Sequence, residues 1–246
     1  MVMNTPRTSI ILPVYNGERF IEAALHSIQI QDVDLEVLAH DDGSTDNTRC
    51  ILDRLSRDDG RILVSRSPNS GPATARNLCL RRAKGDFIAF MDHDDLWPEG
   101  RLARQLDILS RSPKAGGILG HTVIFDKVDD QGKPADSQSN RLVLAGLLQA
   151  GLFRRAAIEA TGDFDPSLRA ADDFDFLLRL IESGGRLDVD PGIAVFYRQH
   201  PRQWTANLTQ TGLQTARALQ RSLHRRRSSG VARPLSWRID DEQTPL

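Results

Sequence analysis

Three carboxylates fall within four residues at Asp92-His93-Asp94-Asp95, directly after the apolar run Phe87-Ile88-Ala89-Phe90-Met91. Carboxylates this close repel one another and raise each other's pKa unless positive charge sits among them. The usual remedy is a hard divalent cation bound through oxygen, often one that also holds a phosphate. A solvated acidic turn at a strand end is the competing reading. A second acidic group, Asp172, Asp173 and Asp175, opens a helical segment. The helix dipole accounts for one or two acids there. A third suggests a carboxylate facing a reaction centre, where it could take a proton from a substrate hydroxyl.

The elements that must position these acids alternate. Ser9–Pro13 reads as a strand, and Phe20–Ile28 carries apolar residues at helical spacing. Leu35–Ala39 is a second strand, stopped by His40-Asp41-Asp42-Gly43-Ser44. Asp46 can cap the next helix, which turns Ile51, Leu52 and Leu55 inward. Arg61–Ser65 is a third strand, and Pro72 opens a helix that closes at Gly85. The acid-tipped strand is fourth. Strands alternating with helices imply right-handed crossovers and a mostly parallel α/β sheet. Ligands of such sheets collect at the carboxyl ends of the strands. Pro13–Gly17, Asp41–Ser44, Arg66–Gly71 and Asp92–Asp95 should therefore share one rim.

Each rim residue has two readings. Tyr15 is a packing aromatic or a surface for stacking on a base. Asp42 is a turn residue or an acceptor for a base N–H. Arg76 lies early in its helix, where the dipole needs no cation; it makes a surface ion pair or binds phosphate.

The second half is less regular. Arg101–Leu109 reads as a helix, Gly117–Phe125 and Ile193–Arg198 as strands, and Asp126–Asn140 as a mobile polar loop. Residues 206–246 are set apart as a basic helix followed by a disordered tail. In that helix Leu213, Ala216, Leu219 and Leu223 share one side, and Arg217, Arg221 and Arg225–Arg227 add positive charge. It packs on the main domain or lies on an anionic membrane surface.

Composition bounds the function. The 246 residues are 39% hydrophobic and 26% charged, as in a soluble globular chain. A net charge of -1 argues against a nucleic-acid partner. No apolar run reaches about 18 residues, and the N-terminus lacks the apolar region of a signal peptide. Two cysteines, Cys50 and Cys79, without metal-ligand spacing read as free thiols in a reducing cytoplasm. The location expected is cytoplasmic, at the inner membrane face if the basic helix engages lipid.

Five blocks in order resemble a family 2 glycosyltransferase, a nucleotide-sugar-dependent enzyme of the GT-A fold. They are Ile11–Gly17, Ala39–Asp46, Asn69–Asn77, Gly85–Asp95, and Gly162–Asp165 followed by Asp172-Asp173. They span about residues 8–205, which the resemblance treats as one Rossmann-like catalytic domain, 1–205.

The resemblance implies roles. Pro13, Tyr15 and Asp42 would hold the nucleotide base, usually uracil. Asp92 and Asp94 match the outer acids of an Asp-x-Asp motif that holds the ribose and a diphosphate-bound Mn2+ or Mg2+. Asp94 is the leading metal ligand, Asp92 the ribose-side partner, and Asp95 a support for metal or sugar. Arg76 would meet the diphosphate. Asp173 matches the catalytic base of a Glu-Asp pair; Asp172, in the first position, is shorter than the family's Glu. His200 follows a segment resembling the end of this domain and would approach the diphosphate or metal, or else is a surface histidine. The reaction implied is inverting transfer to a glycan, lipid-linked or other hydroxyl acceptor.

Rival classes fit less well. A haloacid-dehalogenase-like phosphatase puts its Asp-x-Asp on the first core strand, with Thr or Val soon after. A nucleotidyltransferase needs a Gly-rich basic loop after the first strand. A calcium loop needs Gly where Asn47 stands. A catalytically degenerate nucleotide-sugar-binding protein on the same fold is opposed by the intact Asp92, Asp94 and Asp173.

Overall fold

The computed structural model describes residues 7–128, 134–135, 141–143, 147–168, 170–200, 203 and 208–228. Its first half is β1 (Thr8–Val14), α1 (Ile21–Gln29), β2 (Leu35–Asp41), α2 (Thr48–Asp58), β3 (Ile62–Arg66), α3 (Pro72–Leu80) and β4 (Phe87–Phe90). These strands pair in parallel in the order β3-β2-β1-β4. The second half adds α4 (Arg101–Arg111), β5 (Ala115–Phe125), β6 (Arg141–Val143), β7 (Gly151–Arg154), α5 (Arg155–Thr161), α6 (Asp172–Glu182), β8 (Arg186–Arg198) and α7 (Leu208–Ser228). The sheet continues as β7-β5-β6, with β7 antiparallel to β4 and β5, and β8 parallel to β5. The result is a mostly parallel α/β sheet.

Side chains alternate across a strand, and the core divides accordingly. Ile10, Leu12 and Val14 of β1 and Phe87 and Ala89 of β4 pack toward α1, α2 and α4, against Ile21, Leu25, Leu52 and Leu102. Ile11, Ile88 and Phe90 face the other way, toward Cys79, Ile158, Phe176 and Leu180 of α3, α5 and α6. On that side Phe164 stacks on Phe176 at 4.1 Å, and Phe90 meets both edge-on. Helices pack on both faces of the sheet, and the candidate residues gather at the carboxyl ends of its parallel strands.

Several boundaries differ from expectation. β2 does not stop before His40; it runs through Asp41, because His40 and Asp41 pair with Pro13 and Val14 on one side and Ser65 and Arg66 on the other. The buried His40 ring is satisfied by Ser65 Oγ at 2.9 Å and Ser67 Oγ at 3.0 Å. α3 ends at Leu80 rather than Gly85. The backbone N–H groups of Lys84 and Gly85 donate instead to Glu36 Oε1 and Ser9 Oγ, each at 2.7 Å. β8 starts at Arg186, well before Ile193. Its Asp190-Pro191-Gly192 step stays in the strand through register shifts against β5 and a pair between Asp190 and Arg104 at 2.9 Å.

α7 packs on α6, but not with Leu213, Leu219 or Leu223. Ala218 is buried against Leu168 and Ala171, and Ser222 and Arg225 bond Glu182. Leu213, Leu219 and Leu223 face outward. Most of the expected Asp126–Asn140 loop, the pair Trp204-Thr205 and the tail after Ser228 lie outside the described residues.

Candidate active site

The four strand ends are stitched into one rim. Asn16, at φ 50, turns the chain after β1; asparagine tolerates this left-handed region better than most residues. Its backbone N–H donates to Ser44 Oγ at 2.9 Å, and its side chain accepts from the Thr45 N–H at 2.8 Å. Asp42 accepts from the backbone N–H groups of Ser70 and Gly71, both at 2.8 Å, and so ties the β2 end to the start of α3. Gly43, at φ 75, passes so close that a Cβ would lie 2.7 Å from Asn69 N. The ring of His93, from the acidic turn, lies against Gly17. Tyr15 stands exposed on this rim and Pro13 is buried beneath it. Under it, Asp41 is held by Arg66 and by the Ser44 N–H. Burial would raise its pKa, but these hydrogen bonds keep it below the usual carboxylate range.

Asp92–Asp95 form a turn closed by Asp95 N–H to Asp92 O at 3.2 Å. The chain then pairs at Leu96 with Phe196 of β8, which sets the end of β8 against the acids. Arg198 donates from its backbone to Asp95 Oδ1 at 2.9 Å and from Nε to the Asp94 carbonyl at 2.8 Å. Its guanidinium lies 4.9 Å from the Phe20 ring and 4.7 Å from the Phe125 ring. His200 Nε2 is 3.0 Å from Asp94 Oδ2, and its ring packs on Phe20.

The three acids have different surroundings. Burial pushes the Asp94 carboxyl up, but the His200 hydrogen bond, the neighbouring His93 and a backbone hydrogen bond together outweigh it and bring the pKa below the ordinary value. Asp95 is fully buried. Its pKa lies well above the ordinary value, through burial first and then the charges of Asp94 and Asp92. Its Oδ2 has no hydrogen-bond partner among the described residues. Asp92 is partly exposed; Oδ1 accepts from Arg76 Nη2 at 2.8 Å and Oδ2 from Gln149 Nε2.

Arg76 joins this turn to the second acidic group. It is buried, not a surface residue, and its Nη1 donates to Asp172 Oδ2 at 2.6 Å. Burial costs the charged form, but Asp172 and Asp92 outweigh it and raise the guanidinium pKa. The next residue, Asn77, clamps Phe164 through both backbone groups, at 2.8 and 2.9 Å. One turn of α3 thereby holds both halves of the Phe164–Asp173 segment.

Asp172 and Asp173 then part in role. Asp172 is buried on Arg76, and its pKa rises to about 6, burial being the main cause. Asp173 is partly exposed and close enough to feel both Arg76 and Asp92. Its pKa is raised, by burial first; Arg76 opposes this and Asp92 adds to it. Asp175, the third acid, does not face the site. It pairs with Arg179 at 2.8 Å and Arg225 at 3.1 Å, tying α6 to α7.

Two contributors carry no sequence signal of their own. Gln149 is a neutral residue in the apolar stretch before β7, placed against Asp92 by one turn of 3-10 helix at Leu148–Ala150. Its Oε1 is buried without a partner among the described residues. Arg198 reads as an ordinary strand-end cation until β8 is laid beside the turn.

Asp92, Asp94, Asp95, Asp172 and Asp173 outnumber Arg76, Arg198 and His200, so the mouth has surplus negative charge. Among the described residues no three His, Cys, Asp or Glu side chains are grouped to hold a metal unaided. Asp94 and His200, 3.0 Å apart, would suit a hard divalent cation if phosphate oxygens supplied its other ligands.

Comparisons with known proteins bear on the family and the fold. The family model described as "Glycosyl transferase family 2" matches residues 9–162. TuaG of Bacillus subtilis, a glycosyltransferase provisionally assigned to teichuronic acid biosynthesis, is 32% identical over 193 residues, covering 73% of this chain and 73% of that protein. A Campylobacter jejuni GalNAc(5)-diNAcBac-PP-undecaprenol beta-1,3-glucosyltransferase is 38% identical over 101 residues, 40% of this chain and 33% of that protein. An uncharacterized Rickettsia conorii glycosyltransferase is 35% identical over 153 residues, and the match spans 62% of this chain but only 24% of its length.

Two solved structures share the fold. S. aureus TarS in complex with UDP-GlcNAc superposes with a TM-score of 0.65 at 23% identity, covering 82% of this chain and 61% of that one. The mannosyltransferase PcManGT of Pyrobaculum calidifontis, in complex with GDP-Man and Mn2+, gives 0.70 at 22%, covering 95% and 67%. The fold is GT-A.

Proposed function

Because the chain belongs to glycosyl transferase family 2, we propose that it moves a sugar from a nucleoside-diphosphate sugar, UDP-linked, to an acceptor hydroxyl with inversion. The observation that carries this reading is the double pairing of Arg76, to Asp92 at 2.8 Å and Asp172 at 2.6 Å. It brings the strand-end acids and the helix-end acids to one mouth, so a donor held at the first lies beside a base on the second.

Tyr15 and Asp42 take the base of the nucleotide, with Pro13 beneath them. Asp92 takes the ribose. Asp94 and His200 would hold Mn2+ or Mg2+, which supplies the leaving diphosphate with positive charge. Asp95, fixed by Arg198, supports Asp94 from behind. Asp173 accepts the proton of the acceptor hydroxyl, whose oxygen attacks the anomeric carbon as the bond to the diphosphate breaks on the opposite face. Attack from behind inverts the anomeric centre. Asp172 stays on Arg76 and fixes the start of α6.

A lipid-linked or cell-surface glycan is the proposed acceptor, in line with the polyprenol-linked acceptor in the name of the Campylobacter relative. The two free cysteines accord with a cytoplasmic site of reaction. Thermal-shift screening of UDP- and GDP-sugars with and without Mn2+, followed by a transfer assay on the hits, tests the proposal. A donor at about 100 times its dissociation constant adds about 2.7 kcal/mol of stability. No stabilisation by any nucleotide sugar would overturn the reading. Binding without turnover on any acceptor or water would favour a degenerate binding protein instead.

A further inference from the structure

α7 is docked the wrong way round for a surface helix. An amphipathic helix ordinarily turns its apolar stripe to the core. Here the face toward α6 is small and polar: Thr211, Thr215, Ala218, Ser222 and Arg225, fastened through Arg225 to Asp175 at 3.1 Å and to Glu182 at 2.7 Å. Arg221 adds a pair with Asp165. Ion pairs and small residues hold the helix down, and Leu213, Leu219 and Leu223 are left over.

Those leucines form a patch rather than a scatter. Leu213, Leu219 and Leu223 are 60%, 43% and 52% exposed, and they are three of the seven large apolar side chains that are exposed among the described residues. Gly212, Ala216, Leu219 and Leu223 follow i, i+4, i+7, i+11 spacing, one continuous stripe. Leu213 lies beside Ala216. Two exposed arginines flank it, Arg217 one turn beyond Leu213 and Arg227 one turn beyond Leu223. Residues 208–228 hold five arginines and no acid, in a chain of net charge -1.

We propose that this outer face of α7 docks on an anionic lipid surface, the leucines entering the headgroup boundary and the arginines meeting lipid phosphates. Charge decides the occupant. A second copy of the chain meeting this face about a twofold axis would set the same patch against itself, arginine against arginine. An anionic bilayer meets both the leucines and the charge. No helix among the described residues is long and apolar enough to cross a membrane, so α7 would lie on the surface. Ala218 packs on Ala171, next to Asp172 and Asp173, so docking sets the lipid surface close behind the acids of α6. The inference does not depend on the catalytic reading, because it concerns binding alone.

Flotation of the full chain with vesicles tests it. Vesicles of phosphatidylcholine alone are compared with phosphatidylcholine mixed with phosphatidylglycerol, at low and high salt. Partition into the mixed vesicles should exceed that into neutral ones by about tenfold at low salt and fall as salt rises. The double variant Leu219→Gln, Leu223→Gln should lose about tenfold or more of that binding. The variant Arg217→Gln, Arg227→Gln should lose about fivefold per charge. All these positions are exposed, so the melting temperature should stay that of the wild type, which separates lost docking from lost folding. Three results each overturn the proposal: a wild type that does not float with anionic vesicles, a leucine variant that floats as well as the wild type, or a wild-type dimer that the leucine variant converts to a monomer.

Discussion

Arg76 and Asp172 meet at 2.6 Å in the interior, ninety-six residues apart in the chain. The contact joins α3 to α6 immediately beside the candidate base. The same guanidinium holds Asp92, so one buried cation fixes the spacing between the donor side and the base side of the site.

Removing that cation leaves two carboxylates without their partner, one of them buried. Arg76→Ala should cost about 3–5 kcal/mol of stability and abolish transfer. The double variant Arg76→Ala, Asp172→Asn should recover part of the stability, because the unpaired buried charge is gone, but not the activity. Urea unfolding midpoints of the two variants check this. Equal destabilisation would mean that the pair does not carry the energy assigned to it.

Asp173→Asn keeps the shape of the side chain and removes the proton acceptor. We expect kcat to fall about 10²–10⁴-fold, with donor affinity within a small factor of the wild type. Calorimetric titration of the donor alongside turnover separates the two. A variant with near wild-type turnover would refute the assignment.

The pH profile has a definite sign. A base must be deprotonated to act, and burial raises the pKa of Asp173 while Asp172 is raised to about 6. Protonated forms therefore persist above the ordinary aspartate value of about 3.9. kcat/KM should rise with pH along an acid limb displaced upward from that value, and the limb belongs to the coupled pair rather than to either acid. Initial rates across the acid range measure it. A profile flat through the ordinary carboxylate range would contradict a base whose pKa is raised.

Gln149 is the residue whose effect is least expected from its chemistry. Its amide donates to Asp92 Oδ2. Gln149→Ala removes a hydrogen bond to a charged acceptor and should weaken nucleotide binding by about 1–3 kcal/mol. Gln149→Glu, which sets a carboxylate against Asp92, should weaken it further. Nucleotide affinity measured at one Mn2+ concentration for both variants ranks them. Unchanged affinity in both would show that Asp92 needs no support from this side.

The thiols make an independent test of the core. Cys50 is exposed, whereas Cys79 is buried, its pKa pushed up to about 12 by burial. A thiolate-seeking reagent at mildly alkaline pH should label Cys50 alone in the folded protein and both cysteines after unfolding. Mass spectrometry of the labelled peptides reads the result.

Local pattern carried the sheet, the rim and the two acidic groups. The continuous apolar runs Ser9–Pro13 and Phe87–Met91 report strands covered on both faces, as the strands of a parallel sheet are. Strands alternating with helices then leave few topologies, and the parallel β3-β2-β1-β4 order is one of them. The acids at Asp92–Asp95 and Asp172-Asp173 were legible because charge that dense needs a reason wherever it occurs. Pairing across the chain was not legible. Nothing near Gln149 in sequence points to Asp92, nothing near Arg76 points to Asp172, and Asp175 looks like its neighbours until Arg225 is brought to it from α7. The facing of α7 is the plainest case. Its leucines have helical spacing, which suits packing or a membrane surface equally, yet the face that α6 accepts is the one bearing Ser222 and Arg225, because Glu182 and Asp175 are there to receive them. Periodicity reports that a helix has two faces. Which face turns inward depends on the charges waiting on the neighbouring helix, and those come together only when the chain folds.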